Sequence, residues 1–122
     1  MRTTAASRQA MGRYGEDIAE RHLIEQGLVV LDRNWRGAAG EVDLVLRDGR
    51  TLVICEVKTR YDDAYGTPHQ AITPAKLSRL KRLAAEWISG HGVLPPETRI
   101  DLIAVHRPRR GPARVEHIRG LC

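Results

Sequence analysis

The chain has 122 residues, with 20 Lys/Arg against 15 Asp/Glu and a formal net charge of +5. That length suits one domain around one core, and no apolar run nears the roughly 20 residues a membrane-spanning helix needs. Two cysteines without a disulfide framework, and an N-terminus lacking the apolar stretch of a secretory signal, point to a reducing cytoplasm.

The first element in chain order is a helix over "RYGEDIAERHLIEQG" (13–27), where Tyr14, Ile18, Ala19 and Leu23 recur at helical spacing and Gly27 supplies a stop. "LVVLD" (28–32) reads as a short buried strand, and "RNWRGAAG" (33–40) as a polar loop. Strands at 41–47 and 51–60 follow, joined by a tight turn at Asp48-Gly49. After an irregular connection, Thr73-Pro74 opens a helix with the apolar stripe Leu77, Leu80, Ala84, Trp87 and Ile88, ending at Gly90. A strand at 99–106, a turn, and an edge strand at 114–118 complete the order α-β-β-β-α-β-β. This predicts an α/β fold with one mixed sheet flanked by helices. The expected core spans about 10–106, leaving a basic C-terminal segment, 107–122.

Charge is divided unevenly. Residues 1–63 carry ten basic against eleven acidic side chains, and residues 64–122 carry ten against four. An acidic cluster beside a basic remainder suits a polyanion held near a cation site. A well-solvated surface would have the same composition.

The stretch "GEVDLVLRDGRTLVICEVKTR" (40–60) is the most informative. Strand alternation puts Leu52, Ile54, Glu56, Lys58 and Arg60 on one face. A two-residue Asp48-Gly49 loop pairs 43 with 54 and 41 with 56, so Glu41, Asp43, Glu56 and Lys58 converge on that face. Asp43 and Glu56 become diagonal neighbours about 7 Å apart, within reach of one cation. All-oxygen donors favour a hard ion, Mg²⁺ or Mn²⁺, over zinc. A merely solvated strand face would contain the same charges. Val45, Leu52 and Ile54 share the face, however, which places the charges at one end of a covered sheet, and buried ionisable clusters tend to be functional.

Asp43 followed by Glu56-Val57-Lys58 resembles the signature of the PD-(D/E)XK, or restriction-endonuclease-like, nucleases. Together with "GRYGEDIAERHL", "YGTPHQAIT", "KLSRLKRLA" and "RIDLIAV", the chain resembles the YraN-like bacterial family, related to archaeal Holliday junction resolvases. The resemblance implies a restriction-endonuclease-like fold and metal-dependent hydrolysis of DNA, in branched or single-stranded form. It implies that Asp43 and Glu56 hold the metal with the Val57 carbonyl, and that Glu16 adds a further acidic group. Lys58 would orient or activate water and steady charge on the phosphate. Gln70 would fold back toward the site. One site per chain suits a homodimer, because resolvases cut two strands.

Lys76, Arg79 and Arg82 form a basic stripe at i, i+3, i+6 that could track a phosphate backbone, and Arg60 extends the Glu56/Lys58 face toward phosphate. For each, a solvated charge is the plain alternative. Trp35, Tyr61 and Tyr65 suit base stacking or loop anchoring, and Trp87 belongs to a core stripe. Asp101 lies among apolar neighbours as a supporting or capping residue, and the five histidines have no metal-ligand spacing. The expected function is a Mg²⁺- or Mn²⁺-dependent deoxyribonuclease acting on DNA rather than RNA. The alternatives are a nucleic-acid-binding module of the same fold without catalysis, and a hydrolase of another phosphate ester.

Overall fold

The computed structural model describes residues 5–61 and 72–121. Its elements are α1 (Ala5–Glu25), β1 (Val29–Gly37), β2 (Gly40–Asp48), β3 (Thr51–Tyr61), α2 (Pro74–His91), β4 (Glu97–Arg107) and β5 (Arg114–Ile118). The five strands lie in chain order in one sheet. Only β3 and β4 run parallel, and α2 lies between them in sequence. The element order and mixed sheet match the sequence expectation and agree with a restriction-endonuclease-like fold. Among the described residues no helix is long and apolar enough to cross a membrane.

Alternation along β3 builds two cores. Val53 and Cys55 join Ala19 and Leu23 of α1 with Leu44, Leu46, Ile103 and Val105. Leu52 and Ile54 point the other way and join Leu80, Leu83, Ala84 and Trp87 of α2 with Val42, Val45 and Ile100. Both helices are therefore amphipathic covers on opposite sheet faces. α2 starts as expected: Thr73 caps it, its hydroxyl accepting from the Lys76 amide at 3.1 Å, with Pro74 in the first turn. It ends at Gly92 in the left-handed region, two residues later than expected.

Four expectations need correction. α1 begins at Ala5, well before Arg13. The "RNWRG" segment is strand, because β1 pairs with β2 out to Gly37↔Gly40. The hairpin turn is Gly49-Arg50 rather than Asp48-Gly49: Gly49 takes the positive φ, 60°, and Asp48 pairs with Thr51. The register therefore shifts by two, matching Val45 rather than Asp43 with Ile54, while the parity of β3 is kept. Finally, the segment after 106 belongs to the core fold rather than trailing from it, its edge strand at 114–118 being as expected. β5 pairs with β4, and the Leu121 amide donates to the Ile100 carbonyl at 2.8 Å.

Candidate active site

The site forms where β2 and β1 bend together. Leu44 packs toward α1 and Val42 toward α2, so β2 changes face across Asp43. Its partner does the same: Arg33 pairs with Leu44 and Trp35 with Val42, the 34/43 pair is skipped, and Asn34 has φ 52°. Asn is among the few side chains that tolerate that backbone. The β2–β3 ladder stops at Leu44↔Cys55. Beyond it, the Val57 amide donates to Asp43 Oδ2 at 2.8 Å, so a side chain stands where a backbone carbonyl would continue the sheet.

Asp43 is half-buried, with its carboxyl pushed up to about 7. Burial is the main cause and the Glu56 charge the next; the Val57 hydrogen bond opposes both, and Glu16 and Glu41 add smaller upward contributions. Glu56 ion-pairs with Lys76 Nζ at 3.3 Å, with only 12% and 18% of the two side chains exposed. The pair is thus largely desolvated, and its attraction is less screened than that of a surface pair. Lys58, on the same face of β3, is lowered by burial and then by the neighbouring Lys76 charge, with Glu56 and Asp43 acting the other way. Two carboxylates and two ammonium groups therefore share one recess between β2, β3 and the start of α2.

The other expected residues are placed as follows. Glu16 reaches toward the site from α1 closely enough to act on Asp43 electrostatically, but Arg33 Nη2 holds it at 3.5 Å. Glu41 is not in the recess: the change of face at Asp43 turns it outward, where it pairs with its cross-strand neighbour Arg36 at 3.4 Å. Arg60 lies two residues past Lys58 on β3, opposite His106. Arg79 leans on the β1–β2 turn beside Gly40, and among the described residues its buried Nε has no hydrogen-bond partner. Gln70 and Tyr65 lie outside the described residues. Trp35 packs on the α2 core, and Trp87 is core with its indole N–H donating to Asp32 at 3.2 Å.

Lys76 was expected to meet phosphate from a helix start well placed to approach the site, and its ion pair with Glu56 is the main feature sequence reasoning missed. Its place at the start of a helix following β3 was the available signal. Beside it, Thr73, Ala75, Lys76, Arg79 and Arg82 line a groove of about 540 Å³. Sequence reasoning also missed Arg33, which gathers Glu16, Asp17 and Glu20 and so ties α1 to β1. The i, i+4 acidic spacing of Glu16 and Glu20 was the signal there. Among the described residues, no three Asp, Glu, His or Cys side chains come together as a ready-made cation cage. The carboxylates available for a cation are Asp43 and Glu56, with Glu16 further off.

Residues 15–105 match a family model described as uncharacterised protein family UPF0102. A UPF0102 protein of Nocardioides sp. (strain ATCC BAA-499 / JS614) is 57% identical over 117 residues, covering 96% of this chain and 94% of the relative. A UPF0102 protein of Kineococcus radiotolerans is 53% identical over 94% of this chain and 95% of its own. One from Streptomyces coelicolor is 55% identical over 94% of this chain and 90% of its own.

Proposed function

The chain belongs to the uncharacterised protein family UPF0102, the YraN-like family its motifs resemble, and on that premise we propose that it is a metal-dependent nuclease hydrolysing phosphodiester bonds in DNA. The observation that supports this reading is the Asp43/Glu56/Lys58 recess at the point where β2 leaves β3. A carboxyl at about 7 beside a second carboxylate is costly to the fold, and such strained ionisable pairs mark chemical sites.

The donor set fits a hard divalent cation. Asp43 and Glu56 offer oxygen only, and a cation between them would return Asp43 to its charged form. Mg²⁺ or Mn²⁺ held by these two residues, with Glu16 as an outer acidic group, would supply a Lewis acid and an activated water. The remaining work falls to the chain's own groups. The Val57 amide fixes Asp43 Oδ2 and so aims the carboxylate. Lys58, its ammonium weakened by burial, is suited to passing a proton to or from water beside the scissile phosphate. Arg79 and Arg82 in the α2 groove supply contacts to the phosphate backbone, with Arg60 at the end of β3.

Branched or single-stranded DNA in the cytoplasm is the proposed substrate. A homodimer would provide one site per strand. The test is a panel of branched, single-stranded and duplex DNA and RNA with Mg²⁺ or Mn²⁺, run beside Asp43→Ala and Lys58→Ala. Cleavage by the wild type alone, with DNA binding kept in both variants, is expected. Binding without cleavage would make the chain a binding module, and equal cleavage by the variants would trace activity to a contaminant.

A further inference from the structure

Lys76 belongs to two environments at once. Its ammonium is paired with Glu56 inside the recess at 3.3 Å, and the same residue lines the α2 groove with Thr73, Arg79 and Arg82. It also sits beside Lys58, so the recess already holds two ammonium groups against the carboxylates of Asp43 and Glu56. A divalent cation taken up by those carboxylates would put two more positive charges within a few ångströms of both lysines. Lys58 projects from the middle of a strand. Lys76 stands at the open end of a helix on a four-carbon stem, and swinging toward the groove moves its ammonium out of the recess without moving the backbone.

We propose that Lys76 is a resident counterion of Glu56 that a divalent cation displaces onto a substrate phosphate, so that cation loading and DNA binding promote one another. The proposal rests on the nuclease reading above and adds its regulation. Lys76 acts as a positioning residue, with one ammonium serving either the Glu56 carboxylate or a phosphate. By linkage the coupling is reciprocal: whatever the cation does for DNA affinity, DNA does for cation affinity. Before loading, Lys76 shields Glu56 and weakens the groove's hold on DNA.

Two measurements on the whole chain test this. The first follows the thermal midpoint against Mn²⁺ without DNA. Lys76→Gln should gain the same rise in thermal midpoint at an about tenfold lower Mn²⁺ concentration than the wild type, since no ammonium competes for Glu56, and Lys76→Arg should stay near the wild type. The second measures DNA binding by fluorescence anisotropy at constant ionic strength, with and without Ca²⁺. Ca²⁺ should tighten binding about tenfold more in the wild type than in Lys76→Gln. Glu56→Gln should tighten metal-free binding, and Glu56→Gln with Lys76→Gln should not.

A Lys76→Gln variant that needs as much Mn²⁺ as the wild type for the same rise in thermal midpoint, or more, overturns the proposal, as does equal Ca²⁺ tightening in both proteins. Those results would leave the nuclease reading standing. A wild type that binds neither Mn²⁺ nor DNA overturns both.

Discussion

Two aspartates sit in opposite electrostatic settings, and Asp43 is the one that works against stability. Its carboxyl is pushed up to about 7 by burial and by Glu56, so the folded chain holds a proton that the unfolded chain releases near 3.8. Stability from this group is therefore greatest below the unfolded value and falls as pH rises from about 4 to about 7. Asp43→Asn keeps an oxygen for the Val57 amide and removes the charge. In chelator, urea unfolding at pH 8 should show the variant more stable than the wild type by on the order of 2 kcal/mol. The gain should vanish at pH 4; a gain independent of pH would mean that charge is not its source. Glu56 and Lys58 were legible because β3 alternates without interruption, and Asp43 because β2 alternates with it as far as the bend. Glu41 was not, because its face depends on the joint bend at Asn34 and Asp43, and no local rule continues a strand through a residue with φ 52°. The error over "RNWRG" has the same origin, since its polar, Gly-containing letters describe a loop until β2 is there to pair with it.

At the scale of elements, the placement of α1 depends on a close approach rather than on its apolar stripe alone. Gly15 sits so tightly against β3 that an added Cβ would collide with the Thr59 side chain. The same glycine lies inside a helix, where Gly→Ala ordinarily stabilises by about 1 kcal/mol. Gly15→Ala should reverse that sign and destabilise by roughly 2 kcal/mol, the helix having to lift from the sheet. Adding Thr59→Ala should recover a large part of the loss, and additive effects in chemical denaturation would show that the contact does not set the docking. The helices themselves were legible from period and caps, Thr73-Pro74 above all. The early start of α1 was not, because its first turns carry no apolar repeat. α2 is tied down differently: the Glu86 carboxylate takes the Ala38 amide at 2.9 and 3.0 Å, holding the β1–β2 turn beside the groove that Arg79 lines.

For the molecule as a whole, the recess opens toward α2, while a second polar network on the α1 side of the sheet knits the chain's distant parts together. Asp101 is fully buried next to Cys55, whose thiol burial pushes well up. It accepts from Arg99 at 2.8 and 3.0 Å, from His117 Nε2 at 2.8 Å and from the Gly120 amide at 3.0 Å. Arg99 reaches on to Asp48 at the hairpin, so β2, β4, β5 and the C-terminal residues meet at one carboxylate. Burial alone would raise Asp101, but His117, Arg99 and Gly120 outweigh it and hold the carboxyl below its ordinary value. The sign is thus opposite to that of Asp43. Asp101 contributes stability above its unfolded value near 3.8, and that stability is lost as pH falls through its lower folded value. Asp101→Asn should destabilise by about 3 kcal/mol at pH 7, because Arg99 and His117 lose a buried charged acceptor. Hydrogen exchange should quicken first in β5, which among the described strands lies at the sheet edge and pairs with β4 alone. The gap between wild type and variant should narrow in the most acid range, where the native carboxyl also protonates. A β5 that exchanges no faster in the variant would mean that its pairing with β4 holds the C-terminal segment without the carboxylate.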